Sequence, residues 1–243
     1  MHTYKGIFGS LLLCVALTSC GGTAETVSST TVAPATTTTA PNPEADKATA
    51  AKYLLVRSDV PSGWTEGPPS PEDPQADAEA DKLNACVGLP PASEIEVANV
   101  SGNTFSQGEN TISSSVTSMK SADIVRQDLK ASTDPKNFPC VANALNELLA
   151  RELAKAAPGA TSSSTVTNLE GVASGDDQFA LRVLSTVKVA GRQIPVYTDI
   201  LGLAADRFAV SVIVTYTGSA PPVDLEKNLL ASAAAHVSGA SIA

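Results

Sequence analysis

Histidine, aromatic residues and positive charge are all scarce in this chain of 243 residues. It has two histidines, 4% aromatic residues, and 16 lysines and arginines against 25 aspartates and glutamates, a net charge of −9. Nucleic-acid binding depends on cations that neutralise phosphates, so this balance argues against a nucleic-acid partner. It also argues against a polybasic contact with anionic lipid headgroups.

An apolar run near the N-terminus has the length of a secretion signal. Residues 7–17 follow Lys5 and fall short of the roughly 20 apolar residues that a membrane-spanning helix needs. The run closes with Leu17-Thr18-Ser19-Cys20, which resembles the lipobox of bacterial lipoproteins. The resemblance implies a diacylglyceryl group on the Cys20 thiol and cleavage after Ser19. A membrane-spanning helix and an unlipidated secreted protein are the alternatives.

Two of the four cysteines belong to the N-terminal signal and the other two belong to the folded domain. Cys14 leaves with the signal and Cys20 carries the lipid, so Cys86 and Cys140 remain as a pair. Outside the cytosol such a pair can form a disulfide. A bridge would close a loop of about 55 residues and contribute about 4 kcal/mol to stability. Two free buried thiols are the alternative.

Composition divides the chain into three parts. Residues 1–19 are the signal peptide, and residues 20–45 hold Cys20 and a Thr-, Pro- and Ala-rich segment that predicts a disordered tether. Residues 46–243 form one folded domain, since about 200 residues suit a single core.

Within that domain, periodicity predicts an α+β fold in which helices pack in layers on an antiparallel sheet. Alternating apolar residues predict strands at 179–189, 194–200 and 208–216, joined as a meander by short turns. Further strands are expected within 104–119 and at 165–169. Helices are expected at 48–56, at 76–86, from the N-cap Ser121 to about 131, after Pro139 and after Pro222.

No catalytic or metal-binding pattern stands out. His2 leaves with the signal, and His236 lies beside Val237 on the apolar side of the last helix, where a packed histidine is expected. One histidine and one cysteine pair cannot assemble the usual zinc site, and a Gly-x-Ser-x-Gly elbow is missing. We therefore expect a protein without catalytic residues, metal ion or cofactor.

Two short patterns resemble a catalytic pair and a calcium site, but their context favours a structural interpretation. Ser185 and Lys188 match Ser-x-x-Lys, but they lie in an alternating strand, so their side chains project to opposite sides. The acidic residues between 72 and 81, and the pair Asp176-Asp177, lack the ligand spacing of a calcium loop and are expected to be solvated. The acidic residues of the first group are Glu72, Asp73, Asp77, Glu79 and Asp81.

Trp64 is the only tryptophan and follows a Pro-x-Gly turn. It is expected either at the edge of the core or, because tryptophan is enriched at recognition sites, in the wall of a ligand groove.

Several short motifs resemble a family of actinobacterial cell-envelope lipoproteins. They are Val60-Pro61-Ser62-Gly63-Trp64, Ala85-Cys86-Val87-Gly88, Phe105 with Ser114-Ser115-Val116, and Pro139-Cys140. More remotely, the layout is similar to PsbP-like folds and to the extracellular sensor domains of mycobacterial receptor kinases. Two disulfides hold those sensor domains, whereas this chain can form one.

These observations predict a non-enzymatic lipoprotein at the extracytoplasmic face of the cell membrane. Its partners would be the membrane, through the lipid on Cys20, and an unknown ligand or protein of the envelope. A carrier of a lipid or small hydrophobic ligand, and an envelope hydrolase with an unrecognised site, are the alternatives.

Overall fold

The computed structural model describes residues 41–70 and 76–240 of the chain. The described part contains six helices and eight strands, in agreement with the α+β prediction. The helices are α1 Pro43–Ala50, α2 Ala76–Val87, α3 Ala92–Ile95, α4 Ala122–Thr133, α5 Phe138–Ala156 and α6 Val223–Ala240. The strands are β1 Thr65–Gly67, β2 Glu96–Ser101, β3 Thr104–Gln107, β4 Asn110–Met119, β5 Thr161–Asn168, β6 Gln178–Val189, β7 Arg192–Ala205 and β8 Phe208–Thr217.

The eight strands form one antiparallel sheet, in which seven follow the order β1-β3-β4-β8-β7-β6-β5 and β2 pairs with β4 beside this path. The predicted meander is confirmed, since β6, β7 and β8 follow one another in sequence and in space. On the other side of β4, β3 pairs with its first residues and β2 pairs with its last five. Strand β4 is therefore an inner strand along most of its length.

The first helix lies earlier than the apolar pattern predicts. It spans Pro43–Ala50 rather than residues 48–56. Asn42 caps it by accepting hydrogen bonds from the backbone N–H groups of Glu44 and Ala45, and the proline at the first position suits a helix start. The apolar residues after Ala50 instead lead the chain into the core, where Tyr53 and Leu55 are buried.

One face of the sheet is apolar and holds the main core. Val210, Val212 and Val214 of β8 lie on this face beside Ile112 and Val116 of β4. Helix α6 covers them with Leu229, Leu230 and Ala233, and residues 50–64 add Tyr53 and Trp64. Fully buried aliphatic side chains at this density are the principal stabilising contribution to the fold.

The opposite face carries α4 and α5. Helix α5, which the sequence predicted after Pro139, packs through Ala142 and Leu153 on valines of β5, β6 and β7. Helix α4 crosses β4, β8, β7 and β6, and none of its residues belongs to the main core on the other face. Helix α2 lies against α5, where the predicted disulfide between Cys86 and Cys140 is present with 6.1 Å between the Cα atoms.

Within residues 41–70 and 76–240, no helix is both long enough and apolar enough to span a membrane. The signal peptide, Cys20 and the tether up to residue 40 lie outside the described residues. The lipid anchor therefore stays a prediction.

Candidate functional site

A patch of hydroxyl side chains occupies the face of the sheet that carries α4 and α5. Residues two apart in a strand share a face, and directly paired residues on neighbouring strands do too. The pairing of Thr111 with Thr215, of Thr215 with Thr198, and of Ser115 with Ser211 therefore places them on one surface. We call this surface the hydroxyl patch; its members are Thr111, Ser113, Ser115, Thr198, Ser211 and Thr215.

The patch is on the part of the sheet that helix α4 crosses, since α4 contacts β4, β8, β7 and β6. Ser113 is only 4% exposed and Thr215 only 9%, while Ser115, Thr198 and Ser211 are half-buried. The rest of this sheet face, below α5, is built of valines and isoleucine. Apolar residues also lie among the hydroxyls, because Ile213 of β8 pairs with Ser113 on one side and with Ile200 of β7 on the other.

The six hydroxyl groups of the patch make no side-chain hydrogen bond to any part of the chain that the structure describes. The Oγ1 atom of Thr215 is moreover fully buried without a partner. Buried polar groups in folded proteins nearly always have a hydrogen-bond partner, in the protein or in ordered solvent. Within the patch, Thr215 Oγ1 is therefore the hydroxyl that the structure buries without a partner.

Polar groups on the apolar face behave differently. The Oγ atom of Ser114 accepts a hydrogen bond from the backbone N–H of Leu55 at 3.0 Å, and Ser118 Oγ donates to the Asp46 carboxylate at 3.3 Å. Asp46 in turn forms a buried ion pair with Arg207. Within β4, Ser114 and Ser118 on the apolar face thus have side-chain partners, whereas Ser113 and Ser115 on the other face have none among the described residues.

Asp128 of α4 is an acidic group on the same side of the sheet. It lies three residues after Val125, which is 1% exposed, so both side chains are on the buried side of the helix. Asp128 is half-buried, and its carboxylate has no ion pair or hydrogen bond among the described residues. Burial raises the pKa of the Asp128 carboxyl from its usual value to about 6.

An aromatic ring borders the patch at Ser211. Gly202 of β7 pairs with Ser211 on one side and with Phe179 of β6 on the other. The ring of Phe179 lies across Gly202, so a Cβ atom there would be 2.0 Å from its Cε1 atom. Phe179 is half-buried. Only glycine at position 202 lets the ring lie flat on the sheet beside the patch.

A second group of titratable residues lies under α6 on the apolar face. Arg182 contacts both Asp199 and Glu226, at 2.6 and 3.1 Å, and both carboxylates are completely buried. Burial, and then the neighbouring Asp199, raises the pKa of the Glu226 carboxyl to about 8, although Arg182 opposes the shift. These contacts join α6 to the sheet and leave no opening for a ligand.

Among the residues predicted to be functional, Trp64 lies in the main core. It is 6% exposed, and its ring centroid is 6.1 Å from that of Tyr216. This placement favours the core interpretation over the groove interpretation. Cys86 and Cys140 form the predicted disulfide, and Cys20 is outside the described residues.

A shallow groove between α2 and α5 begins at the disulfide. Its two sections have volumes of about 160 and 80 Å³ and share Glu79, Leu83 and Ala144. Both volumes are below the roughly 300–1,000 Å³ of sites for drug-sized ligands. Glu79 forms an ion pair with Arg151, and Asp81 accepts a hydrogen bond from the backbone of Ala92. Glu72 and Asp73, predicted to be solvated, lie outside the described residues.

A wider surface cavity of about 440 Å³ lies at the end of α6. His236 lines it and is hydrogen-bonded through Nε2 to Asp59 at 2.8 Å. Ser232 lines the same cavity, but no hydrogen bond joins it to His236 in the described part of the chain. The neighbouring N–H groups are inside a helix, where they bind carbonyl oxygens and cannot form an oxyanion hole.

The Ser-x-x-Lys pattern is not a catalytic pair. Ser185 is buried in β6 and hydrogen-bonds Ser164 of β5 at 2.7 Å, whereas Lys188 is exposed three residues later in the same strand. The two side chains project from opposite faces, as the alternation predicted.

Comparisons with known proteins identify a distant structural neighbour. No family model matches the chain, and no curated protein matches it. Among solved structures, it is similar to the extracellular domain of PknH from Mycobacterium tuberculosis, at 14% identity and a TM-score of 0.41. The match covers 77% of this chain and 96% of that one.

Sequence reasoning missed the hydroxyl patch, Asp128 and Phe179. A signal for the patch was present, because residues 111, 113, 115 and 117 are all Thr or Ser while Ile112 and Val116 are apolar. In an inner strand of a layered domain, such alternation means that one of two covered faces is polar.

Proposed function

We propose that this protein is a lipid-anchored binding protein of the cell envelope that holds its ligand on the hydroxyl patch. The observation that carries the proposal is the set of six hydroxyls that make no side-chain hydrogen bond in the described chain, of which Thr215 Oγ1 is fully buried. The lipobox-like segment ending in Cys20 supports the anchor and the position outside the cytosol.

The patch is better suited to a ligand than to stability. A buried polar group without a hydrogen bond costs about 1–3 kcal/mol, and in the patch this cost applies to the fully buried Oγ1 atom of Thr215. Binding and catalytic sites are where natural proteins accept such local destabilisation. A ligand with hydrogen-bonding groups would give the patch the partners that the chain does not supply.

The side chains around the patch also favour binding over catalysis. Among the described residues, no histidine, lysine or cysteine side chain joins Ser113, Ser115 or Ser211 as a general base or a nucleophile. Serine becomes a nucleophile only beside an activating base. The patch can therefore orient a ligand by hydrogen bonds without the groups needed to transform it.

A thermal-shift screen tests the proposal. The full chain in detergent would be heated with a panel of neutral sugars, sugar phosphates, amino acids, short peptides and fatty acids. Two variants serve as a matched pair: Ser211→Trp fills the patch, and Ser163→Trp makes the same change at an exposed position of β5 on the other face.

The proposal predicts that at least one class of compound raises the Tm of the wild type and of Ser163→Trp but not of Ser211→Trp. If Ser211→Trp shows the same Tm increase as the wild type, the ligand binds elsewhere and the proposal is wrong. The proposal is also wrong if no compound of the panel raises the Tm of the wild type. Ser211→Thr, a smaller change, shows whether a lost shift reflects the site or a misfolded variant.

A further inference from the structure

We infer that the outer edge of β5 is a self-association surface, on which a second copy of this chain adds its own β5 antiparallel to the first. The two sheets then become one continuous sheet. This surface lies apart from the hydroxyl patch, which is on β4, β7 and β8, so the inference does not depend on the proposed function. It comes from the composition, the backbone geometry and the charges of Thr161–Asn168.

Strand β5 lacks the features that usually protect a sheet edge. Natural proteins blunt their edge strands with short length, charge, proline or bulges. The other edge strands have such features, because β1 has three residues including Glu66, and β2 carries Glu96 and a register shift between Glu96 and Ala98. Strand β5 instead has eight residues, all of them Thr, Ser, Val or Asn, and pairs with β6 without a shift. An edge of this length and composition is suited to pairing with another strand.

The edge is open to a second strand. Helix α5 packs from one face on Val166 of β5 and on Val183 of β6, further inside the sheet. On the other face, Ser163, Thr165 and Thr167 are exposed. Among the described strands, β5 pairs with β6 alone.

The backbone of β5 shows which of its groups point to the open edge. The N–H of Leu169 donates to the carbonyl of Ala180, the residue directly opposite, at 2.8 Å. Bonded and non-bonded pairs alternate along an antiparallel ladder, so the odd-numbered residues of β5 bond to β6. The even-numbered residues turn their N–H and C=O groups outward; they are Ser162, Ser164, Val166 and Asn168. In the part of the chain that the structure describes, nothing bonds to these outward N–H and C=O groups.

A two-fold symmetric pairing of these groups has one best register. When Thr165 lies opposite Thr165 of the second copy, Ser164 is opposite Val166 and Ser162 is opposite Asn168. Both are pairs of the hydrogen-bonded type, and symmetry repeats each of them, so the contact contains about eight backbone hydrogen bonds. Moving the symmetry axis to Ser164 loses one of these pairs. The outward groups of β5 are therefore best satisfied with Thr165 on the axis.

The charges at the two ends of β5 favour the same antiparallel arrangement. Lys188 is exposed and pairs directly with Thr161 at the beginning of the strand. Glu170 is exposed two positions beyond Asn168 at the other end. Neither side chain has an ion pair among the described residues. Antiparallel pairing brings the basic end of each copy to the acidic end of the other, which steers association and disfavours a parallel contact.

The test is a set of single cysteines on the exposed face of β5. The full chain in detergent would be oxidised with copper phenanthroline and analysed on a non-reducing gel. In the inferred register the Cα atoms of the two Thr165 residues are about 4.5 Å apart, within the range of about 4.4–6.8 Å that a disulfide spans. Those of the two Ser163 residues are about 14 Å apart, because each lies opposite Thr167.

We expect Thr165→Cys to form a covalent dimer and Ser163→Cys alone to stay monomeric on the gel. Mixing Ser163→Cys with Thr167→Cys should restore cross-linking, since these positions face each other between copies. Cross-linking of Ser163→Cys alone as readily as Thr165→Cys would overturn the inference, and so would a Thr165→Cys variant that does not cross-link.

A second measurement needs no new cysteine. In sedimentation with density-matched detergent, the wild type should be a dimer and Thr165→Lys a monomer, because two lysines would then lie directly opposite each other. Ser58→Lys, at an exposed position outside the sheet, should stay dimeric. A monomeric wild type would overturn the inference. If hydrogen exchange then showed the even-numbered amides of β5 to be protected, another segment of the chain, and not a second copy, would cover the edge.

Discussion

The guanidinium of Arg182 donates two hydrogen bonds to the carboxylate of Asp199, at 2.8 Å from Nε and 2.6 Å from Nη2. The same Nη2 group donates to Glu226 of α6 at 3.1 Å. One arginine thus faces two carboxyl groups that are completely buried. Glu226 keeps its second oxygen without a partner in the described chain, so its charged form is poorly compensated.

This arrangement predicts that stability falls as the pH rises. The pKa of Glu226 is about 8 in the folded protein, against a usual 4.5. The folded state therefore binds the proton more tightly than the unfolded state, and the stabilisation present below about pH 4.5 is lost as the pH rises to 8. The loss is at most about 1.4 kcal/mol for each pH unit in that window.

Glu226→Gln isolates this effect, because the amide keeps the shape and cannot ionise. The Tm of the variant, measured by calorimetry from pH 5 to pH 9, should exceed that of the wild type at pH 8 and depend less on pH. Lys227→Gln, at an exposed neighbouring position, is the control. Parallel Tm profiles for Glu226→Gln and the wild type would show that Glu226 does not titrate in this range.

Asp128→Asn should separate stability from binding. Because burial raises the pKa of Asp128 to about 6, its charged form destabilises the fold above that pH. The variant should have a higher Tm than the wild type at pH 7 and nearly the same Tm at pH 4. It also tests whether the Asp128 carboxylate contacts a ligand of the patch, in which case the affinity should fall about tenfold. A variant more stable but equal in affinity would remove Asp128 from the site.

The disulfide should stabilise the domain and hold α2 in place. Cys86 and Cys140 are separated by 54 positions in sequence, and closing such a loop contributes about 4 kcal/mol in the chain-entropy model. Cys86→Ser with Cys140→Ser should lower the Tm and increase amide hydrogen exchange in α2 more than in β8. Equal increases in both elements would contradict a local role for the bridge.

The cavity around His236 should be catalytically silent. Ser232, His236 and Asp59 lie together there, but the serine lacks a hydrogen bond to the histidine and the helix offers no oxyanion hole. We expect no labelling of the full chain by a fluorophosphonate probe. Covalent capture at Ser232, absent from Ser232→Ala, would instead support the envelope hydrolase.

Membrane attachment should depend on one sulfur atom. If Cys20 carries the diacylglyceryl group, Cys20→Ala should move the protein from the membrane fraction to the medium, and a clickable fatty acid fed to the cells should label only the wild type. Two results would contradict the lipid anchor: a Cys20→Ala variant that stays in the membrane fraction, or a wild-type protein that takes up no label.

Much of the sheet followed directly from the sequence. Val210, Val212 and Val214 alternate with more polar residues, and this pattern fixed β8 and the meander around it. Leu149 and Leu153 of α5 are four residues apart, as on one face of a helix, and both are buried. In these elements a local pattern determines which side faces a core, so no distant partner is needed to interpret it.

The parts that sequence did not predict depend on distant contacts. Strand β2 was missed because Glu96–Ser101 is a mixed sequence that becomes a strand by pairing with β4. The alternation of β4 indicates a polar face, but it does not identify the residues of β8 beside it, because Ser115 and Ser211 are 96 positions apart and only the β4–β8 register brings them together. The missing hydrogen-bond partners are visible only once every neighbour is placed.

The most direct test of the account is the position of the ligand on the sheet. Amide chemical shifts of the full chain in detergent would be recorded during titration with the compound that gives the largest thermal shift. The account predicts that the perturbed amides cluster in Asn110–Met119 and Phe208–Thr217, with further shifts around Phe179 and Asp128. Perturbations confined to the groove between α2 and α5, or to the cavity around His236, would contradict it.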